Sequence, residues 1–171
     1  MKKLEQLYSV SVKNFDDKIE GILLKESDEW ILIKSLYADY IVDGFKIVKK
    51  KDIINISRST REIFKENVLK VNTKWDIRFP IDIPIENTHD LCEYFRKKQI
   101  LIAFNCDTDN LFYVGYVEKV LKKSFHLKSL NPNGEWNGKL STIWLVDISV
   151  FSMDSNYLSS LCAYTSNLGE K

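Results

Sequence analysis

Gly21 to Ser57 reads GILLKESDEWILIKSLYADYIVDGFKIVKKKDIINIS, and Gly115 to Ser149 reads GYVEKVLKKSFHLKSLNPNGEWNGKLSTIWLVDIS. The two stretches share one pattern. Gly21 falls on Gly115, Lys34-Ser35-Leu36 on Lys128-Ser129-Leu130 and Gly44 on Gly138, all at an offset of 94. A two-residue gap then brings Ile56-Ser57 onto Ile148-Ser149. A chain that says the same thing twice is expected to build the same unit twice.

The unit itself reads as strands. In LYSVSV, Leu7 to Val12, the residues Tyr8, Val10 and Val12 share one face, the period-2 signature of a strand. Lys18 to Lys25 is a second strand, with Gly21 at a predicted bend. Trp30 to Leu36 is a third. Asp43-Gly44 is read as a hairpin turn leading to a fourth strand, Phe45 to Val48, and Ile53 to Ile56 is a fifth. Five short, bent strands within some fifty residues predict a small closed barrel, which leaves no exposed edge. The second unit repeats this with strands at Ile100 to Phe104, Phe112 to Val120, Phe125 to Leu130, Lys139 to Ile143 and Leu145 to Phe151.

Helices flank the units. Ser59 and Glu62 form a capping box, and Ile63, Phe64, Val68 and Leu69 mark the face expected to turn inward. Thr88 is expected to cap a helix running to Lys97, and Asp154 or Ser155 to cap one carrying Tyr157, Leu158, Leu161 and Tyr164. Between the units, KWDIRFPIDIPI (74–85) alternates apolar and polar residues, but its prolines forbid a central strand. It is expected as an extended connector packed on the barrels. The predicted organisation is a first barrel with its helix over 1–71, the connector over 72–86, and a helix, a second barrel and a last helix over 87–171. The fold class is mainly β with flanking helices: two tandem five-stranded small barrels packed as a pseudo-dimer.

Composition bounds the function. The 25 basic and 24 acidic residues leave a net charge of +1, without the surplus that phosphate binding favours. Apolar content of 44% suits a soluble globular protein, and no apolar run approaches the length of a membrane span. The start, MKKLEQLYSVSVK, lacks the apolar centre of a signal peptide, and Cys92, Cys106 and Cys162 are odd in number, so a reducing, cytoplasmic setting is expected.

A helix followed by five bent strands with glycine in the second resembles the Sm-like subset of SH3-type barrels. KIEGILLKESDEWILIK (18–34) resembles the first half of a bacterial Sm-like RNA chaperone, and VKKKDIINISRS (48–59) its closing strands. The resemblance implies RNA as a ligand. The chain departs from the family's RNA-site motif. Ile31-Leu32 stands where the family has a pocket asparagine, and of the closing Tyr-Lys-His signature only Lys50 matches. Ser141-Thr142-Ile143 occupies that place in the second unit. The unit also resembles uncharacterised bacterial small-barrel proteins.

Candidate chemistry is sparse. His89 and Cys92, three apart on a predicted helix, make half of a zinc site, for which Cys106, Asp107 and Asp109 could be the rest; a surface histidine and a semi-buried thiol is the plainer reading. Asp107, Asp109 and Asn110 lack the glycine and glutamate of a calcium loop. His126 sits on a strand without a nucleophile beside it in sequence. No glycine-rich phosphate loop occurs. No catalytic residue, metal or cofactor is therefore assigned, and an enzyme is not expected.

Two surfaces remain. Lys49, Lys50 and Lys51, with Lys119, Lys122, Lys123 and Lys128 as their counterpart, could hold single-stranded nucleic acid beside stacking rings. Tyr37, Tyr40, Phe45 and Trp136 around the glycine-marked turns suit a protein partner, Trp136 as the exposed tryptophan and Trp144 as a core one. The expectation is a non-enzymatic bacterial interaction module, of immunity or regulatory-adaptor type, whose partner is another protein, with RNA as the alternative. It would act as a monomer or homodimer away from the membrane.

Overall fold

In the computed structural model, which describes residues 3–107 and 112–168, the chain is mainly β, with ten antiparallel strands in one continuous sheet and three α-helices. The first half supplies β1 (Gln6–Val12), β2 (Ile19–Glu26), β3 (Trp30–Ala38), β4 (Ile41–Lys49), β5 (Ile53–Ser57) and α1 (Thr60–Val71). The second supplies α2 (Thr88–Lys98), β6 (Ile102–Cys106), β7 (Phe112–Val120), β8 (Ser124–Leu130), β9 (Ser141–Trp144), β10 (Ile148–Met153) and α3 (Asn156–Leu168). Sheet order is β5-β1-β2-β3-β4-β10-β6-β7-β8-β9. Each half thus lays down its strands in the same order, and β4 of the first pairs with β10 of the second. Where closed barrels were expected, the backbone ladder is a single open sheet ending at β5 and β9.

The ladder reproduces the offset read from sequence. Tyr8 opposes Gly21, and Ile102 opposes Gly115; Gly21 opposes Ser35, and Gly115 opposes Ser129. Both glycines are required by close approach, because a Cβ at either would fall onto the facing carbonyl, of Lys34 or of Lys128. The register shift between Leu23 and Lys25 recurs between Val117 and Lys119. The gap is placed differently from the sequence reading. Val12 opposes Ile53 and Cys106 opposes Ile148, each beside a bulge, so Ile56-Ser57 answers Phe151-Ser152 rather than Ile148-Ser149.

Two further expectations change. Asp43-Gly44 is not the hairpin turn: β4 runs through it, and the chain reverses at Asp39-Tyr40. Gly44 instead takes φ +63° inside the strand, where the carbonyl of Met153 would lie 2.6 Å from a Cβ. At α2, Asn87 is the cap, its side chain accepting from the Asp90 N–H, and Thr88 begins the helix. Helix α1 does carry the Ser59–Glu62 capping box, and Leu69 is buried as expected, but the helix is rotated so that Ile63 and Phe64 turn outward. Glu62, Lys65, Glu66 and Leu69 are buried, whereas Ile63, Phe64 and Val71 are exposed.

Partners explain the rotation. Lys65 Nζ meets Glu20 Oε2 at 2.5 Å and Asp39 at 3.4 Å. Glu66 accepts from the Leu7 N–H at 3.1 Å and pairs with Arg58 and Lys70. Burial would raise the Glu66 carboxyl pKa, yet these donors hold it below the usual carboxylate value.

One core spans both halves. Trp30, Phe45 and Ile47 pack in the same cluster as Phe95, Phe104, Phe125 and Phe151. The rings of Trp30 and Phe95 lie 5.5 Å and 5.2 Å from that of Phe151, in tilted and edge-on contacts that aromatic quadrupoles favour. The connector seals this core with Ile83 and Ile85, both fully buried. Its carbonyls accept from the first half, Ile83 O from Lys25 Nζ at 3.0 Å and Ile85 O from the Ser27 hydroxyl at 2.5 Å.

Candidate functional site

The β4–β10 seam carries a groove of about 510 Å³. Its floor is low because the strands present small residues there: Ser35 on β3, Ser152 on β10 and Ala103 on β6, with Lys46 of β4 directly opposite Ser152. Its walls are aromatic. Tyr37 and Phe15 stand on the first half, and Phe112 and Tyr157 on the second, the latter two edge-to-face at 6.2 Å. Tyr37, Phe112 and Tyr157 are all exposed, which is unusual for three large rings around one concavity. Asp43, at the rim, accepts from the Asn156 N–H at 2.7 Å and so ties α3 to β4. Period-2 alternation is what gathers Ser35 with Tyr37 and Ala103 with Asn105 on this face.

Of the interface residues expected from sequence, Tyr37 and Phe45 line this groove, Tyr37 as an exposed wall and Phe45 buried beneath Lys34, whose ammonium lies 4.1 Å from the ring centre. Tyr40 is half-buried against Leu7, Leu36 and Leu69. Trp136 is far from an open anchor. It stacks on Tyr116 at 5.4 Å, lies under the Lys128 ammonium and pairs with Leu130. Trp144, expected in the core, is 53% exposed. Phe112 and Tyr157 were legible as aromatics in the sequence, but only the β4–β10 pairing brings them to Tyr37.

The lysines are differently placed. Lys49 is buried, donating to the Leu145 carbonyl at 2.8 Å over the face of Trp30, and burial lowers its pKa. Lys50 donates to Ser27 O at 2.9 Å and pairs with Glu26 at 3.0 Å, while Lys51 donates to Val146 O at 2.9 Å. Lys122 and Lys123 are exposed in the β7–β8 turn. Leu145 joins the two runs, since its N–H donates to Lys123 O. The concavity beside Lys49 and Lys51 also carries Asp28, Glu29, Glu86 and His89, so its charge is mixed.

The sparse chemistry stays dispersed. His89 lies on the surface beside Asp90, whereas the Cys92 thiol is buried in the core and pushed by that burial to about 12. Burial raises Cys106 to about 11. Asp109 and Asn110 lie outside the described residues. Among the described residues, no three His, Cys, Asp or Glu side chains gather where a metal ion could be held, and no helix is long and apolar enough to cross a membrane.

Fold and groove define a mainly β protein with an aromatic-walled cleft where its two halves meet. Neither a protein-family model, nor a curated protein, nor a solved structure matches the chain.

Proposed function

We propose that the protein is a non-enzymatic interaction module that grips a partner protein in the seam groove. The observation that carries this reading is the trio of exposed rings, Tyr37, Phe112 and Tyr157, around a floor of small residues. Rigid aromatics beside a concavity supply contact area at low entropic cost, the usual material of binding hot spots. The rim is of mixed charge, with Asp17, Lys18, Asp43 and Lys46, as suits a polypeptide better than a polyphosphate. In this reading each half is an Sm-like small barrel, and the pair is a tandem duplication within one chain. The shared strand order, the matching bulges and the equivalent glycines support that. A bacterial cytoplasmic adaptor or immunity-type protein is the biological role we infer.

RNA is the second reading, favoured by Lys51 and Lys123, which both contact the Leu145–Val146 backbone after β9, with Lys122 exposed beside Lys123. Against it, Lys49, Lys50 and Lys51 spend their ammonium groups on backbone carbonyls, and three acids share their concavity. Affinity purification from the source cells, with half of the sample treated with RNase, separates the two. A single protein should co-purify in both halves and be lost with the Tyr37→Ala/Tyr157→Ala double variant, whose melting temperature stays that of the wild type. RNA enriched by the wild type and lost with Lys122→Glu/Lys123→Glu would overturn the protein reading.

A further inference from the structure

The second half of the chain offers a comparison for the floor of the seam groove. Ser35 and Ser129 hold matching places. Each stands opposite the glycine of its half, Gly21 or Gly115, and each is buried, at 5% and 6% exposed. The backbone facing them also corresponds. Leu36 pairs with Val42 as Leu130 pairs with Trp136, so Asp43 holds the place of Asn137.

The two serines differ in what their hydroxyls meet. In the second half Asn137 folds onto Ser129. Its side-chain amide donates to the Ser129 hydroxyl at 2.7 Å, and its backbone N–H to the Ser129 carbonyl at 2.9 Å. In the first half Asp43 is drawn away, its carboxylate accepting from the Asn156 N–H across the seam. Among the described residues, no group bonds the Ser35 hydroxyl, which lines the floor of the groove. Buried hydroxyls are nearly always paired, and one left unpaired in a concavity marks where the donor of a ligand belongs.

We propose that the groove selects its partner protein by a side-chain carboxamide, of asparagine or glutamine, whose N–H donates to the Ser35 hydroxyl as that of Asn137 does to Ser129. The proposal rests on the groove reading above and names what the groove takes. Asn137 is then a stand-in, within the same chain, for the ligand of the first half. The surroundings of Ser35 suit such a group. Lys46 and Asn105 in the lining carry N–H groups that a carboxamide oxygen can accept from. Tyr37, Phe112 and Tyr157 offer ring faces to its methylene stem and to flanking apolar residues. With Asp17, Lys18, Asp43 and Lys46 in the same lining, acids and bases balance, which favours a neutral polar head over a charged one.

Blocked tripeptides test this: acetyl-Leu-Gln-Leu N-methylamide and its Met, Glu and Lys analogues, titrated into isotope-labelled protein and followed by amide chemical shifts. The Gln peptide should shift the amides of Ser35, Tyr37, Ser152 and Tyr157. It should bind about fivefold more tightly than the Met peptide, the share of one neutral hydrogen bond. Ser35→Ala should erase that preference and leave the affinity of the Met peptide as it was. Melting of the free protein checks the geometry separately. Ser35→Ala removes a hydroxyl without a partner and should not lower Tm, whereas Ser129→Ala strands the Asn137 amide and should lower it by about 3 °C. Equal binding of the Gln and Met peptides in the groove overturns the carboxamide and leaves the groove reading standing, and tighter binding of the Glu or Lys peptide does the same. Shifts confined to other surfaces, or binding by none of the peptides, overturn both. A Ser35→Ala protein as destabilised as Ser129→Ala would place the partner of Ser35 within the chain and overturn the proposal.

Discussion

Gly21 and Gly115 are held by sterics rather than by flexibility. A methyl group at either site meets a strand carbonyl that cannot move without breaking its ladder, so Gly21→Ala and Gly115→Ala should each cost about 3 kcal/mol, at the upper end of overpacking penalties. Gly138→Ala should change stability by no more than about 0.5 kcal/mol, because nothing stands near it. Urea midpoints of the three variants check the contrast. Equal costs at Gly21 and Gly138 would refute the steric argument. The two costly glycines were visible in the sequence as an aligned pair. Gly138 was aligned with Gly44 just as well, and nothing in the letters distinguishes a glycine pressed by a neighbouring strand from one in the open.

Among the elements, α1 shows most clearly where sequence reading stops. Its start was legible, since a capping box is a contact between residues three apart. Its orientation was not. Apolar periodicity pointed Ile63 and Phe64 inward, but the choice was made by Glu20, Arg58 and the Leu7 N–H, groups brought in from across the chain. The same holds for Trp136 and Trp144, whose exposures are exchanged relative to expectation because a long loop folds one ring onto Tyr116 while the sheet ends beside the other. Strands fared better, because alternation along LYSVSV or the apolar run of WILI is set within the segment itself.

The buried charges of α1 also predict a pH dependence. Glu66 has a pKa lowered in the folded state, so the stability it contributes is fully present above the unfolded carboxylate value and is lost as the pH falls through its folded value. Glu66→Gln should lower stability at neutral pH by about 3 kcal/mol, as breaking a buried pair does, and should flatten the acid limb of the stability profile. Chemical denaturation at a series of pH values measures both. An acid limb as steep as that of the wild type would show that the proton uptake occurs elsewhere.

For the whole molecule, the shared aromatic core governs cooperativity. Because Phe151 touches Trp30 of the first half and Phe95 and Phe104 of the second, Phe151→Ala should cost about 4 kcal/mol and lower both halves together. Hydrogen exchange should then show β2–β3 and β7–β8 opening with one free energy. Separate transitions would mean that the halves are independent bodies joined only at the seam. The mainly β plan was legible in the sequence. That the units share one core and one sheet was not, because offsets between like segments carry no information about which strand of one lies beside which strand of the other.

The connector gives this architecture one more property. Ile83 and Ile85 are anchored in the core and their carbonyls are tied to Lys25 and Ser27, while Ile81, a few residues earlier, is 86% exposed. A cut at Ile81 would sever the covalent link without touching the seam, the core or the anchors. Two polypeptides ending and beginning there, which share one core, should find one another when co-expressed and purify as a single particle of wild-type size. The tether would then be a matter of convenience to synthesis, and the two pieces a pair of complementing fragments.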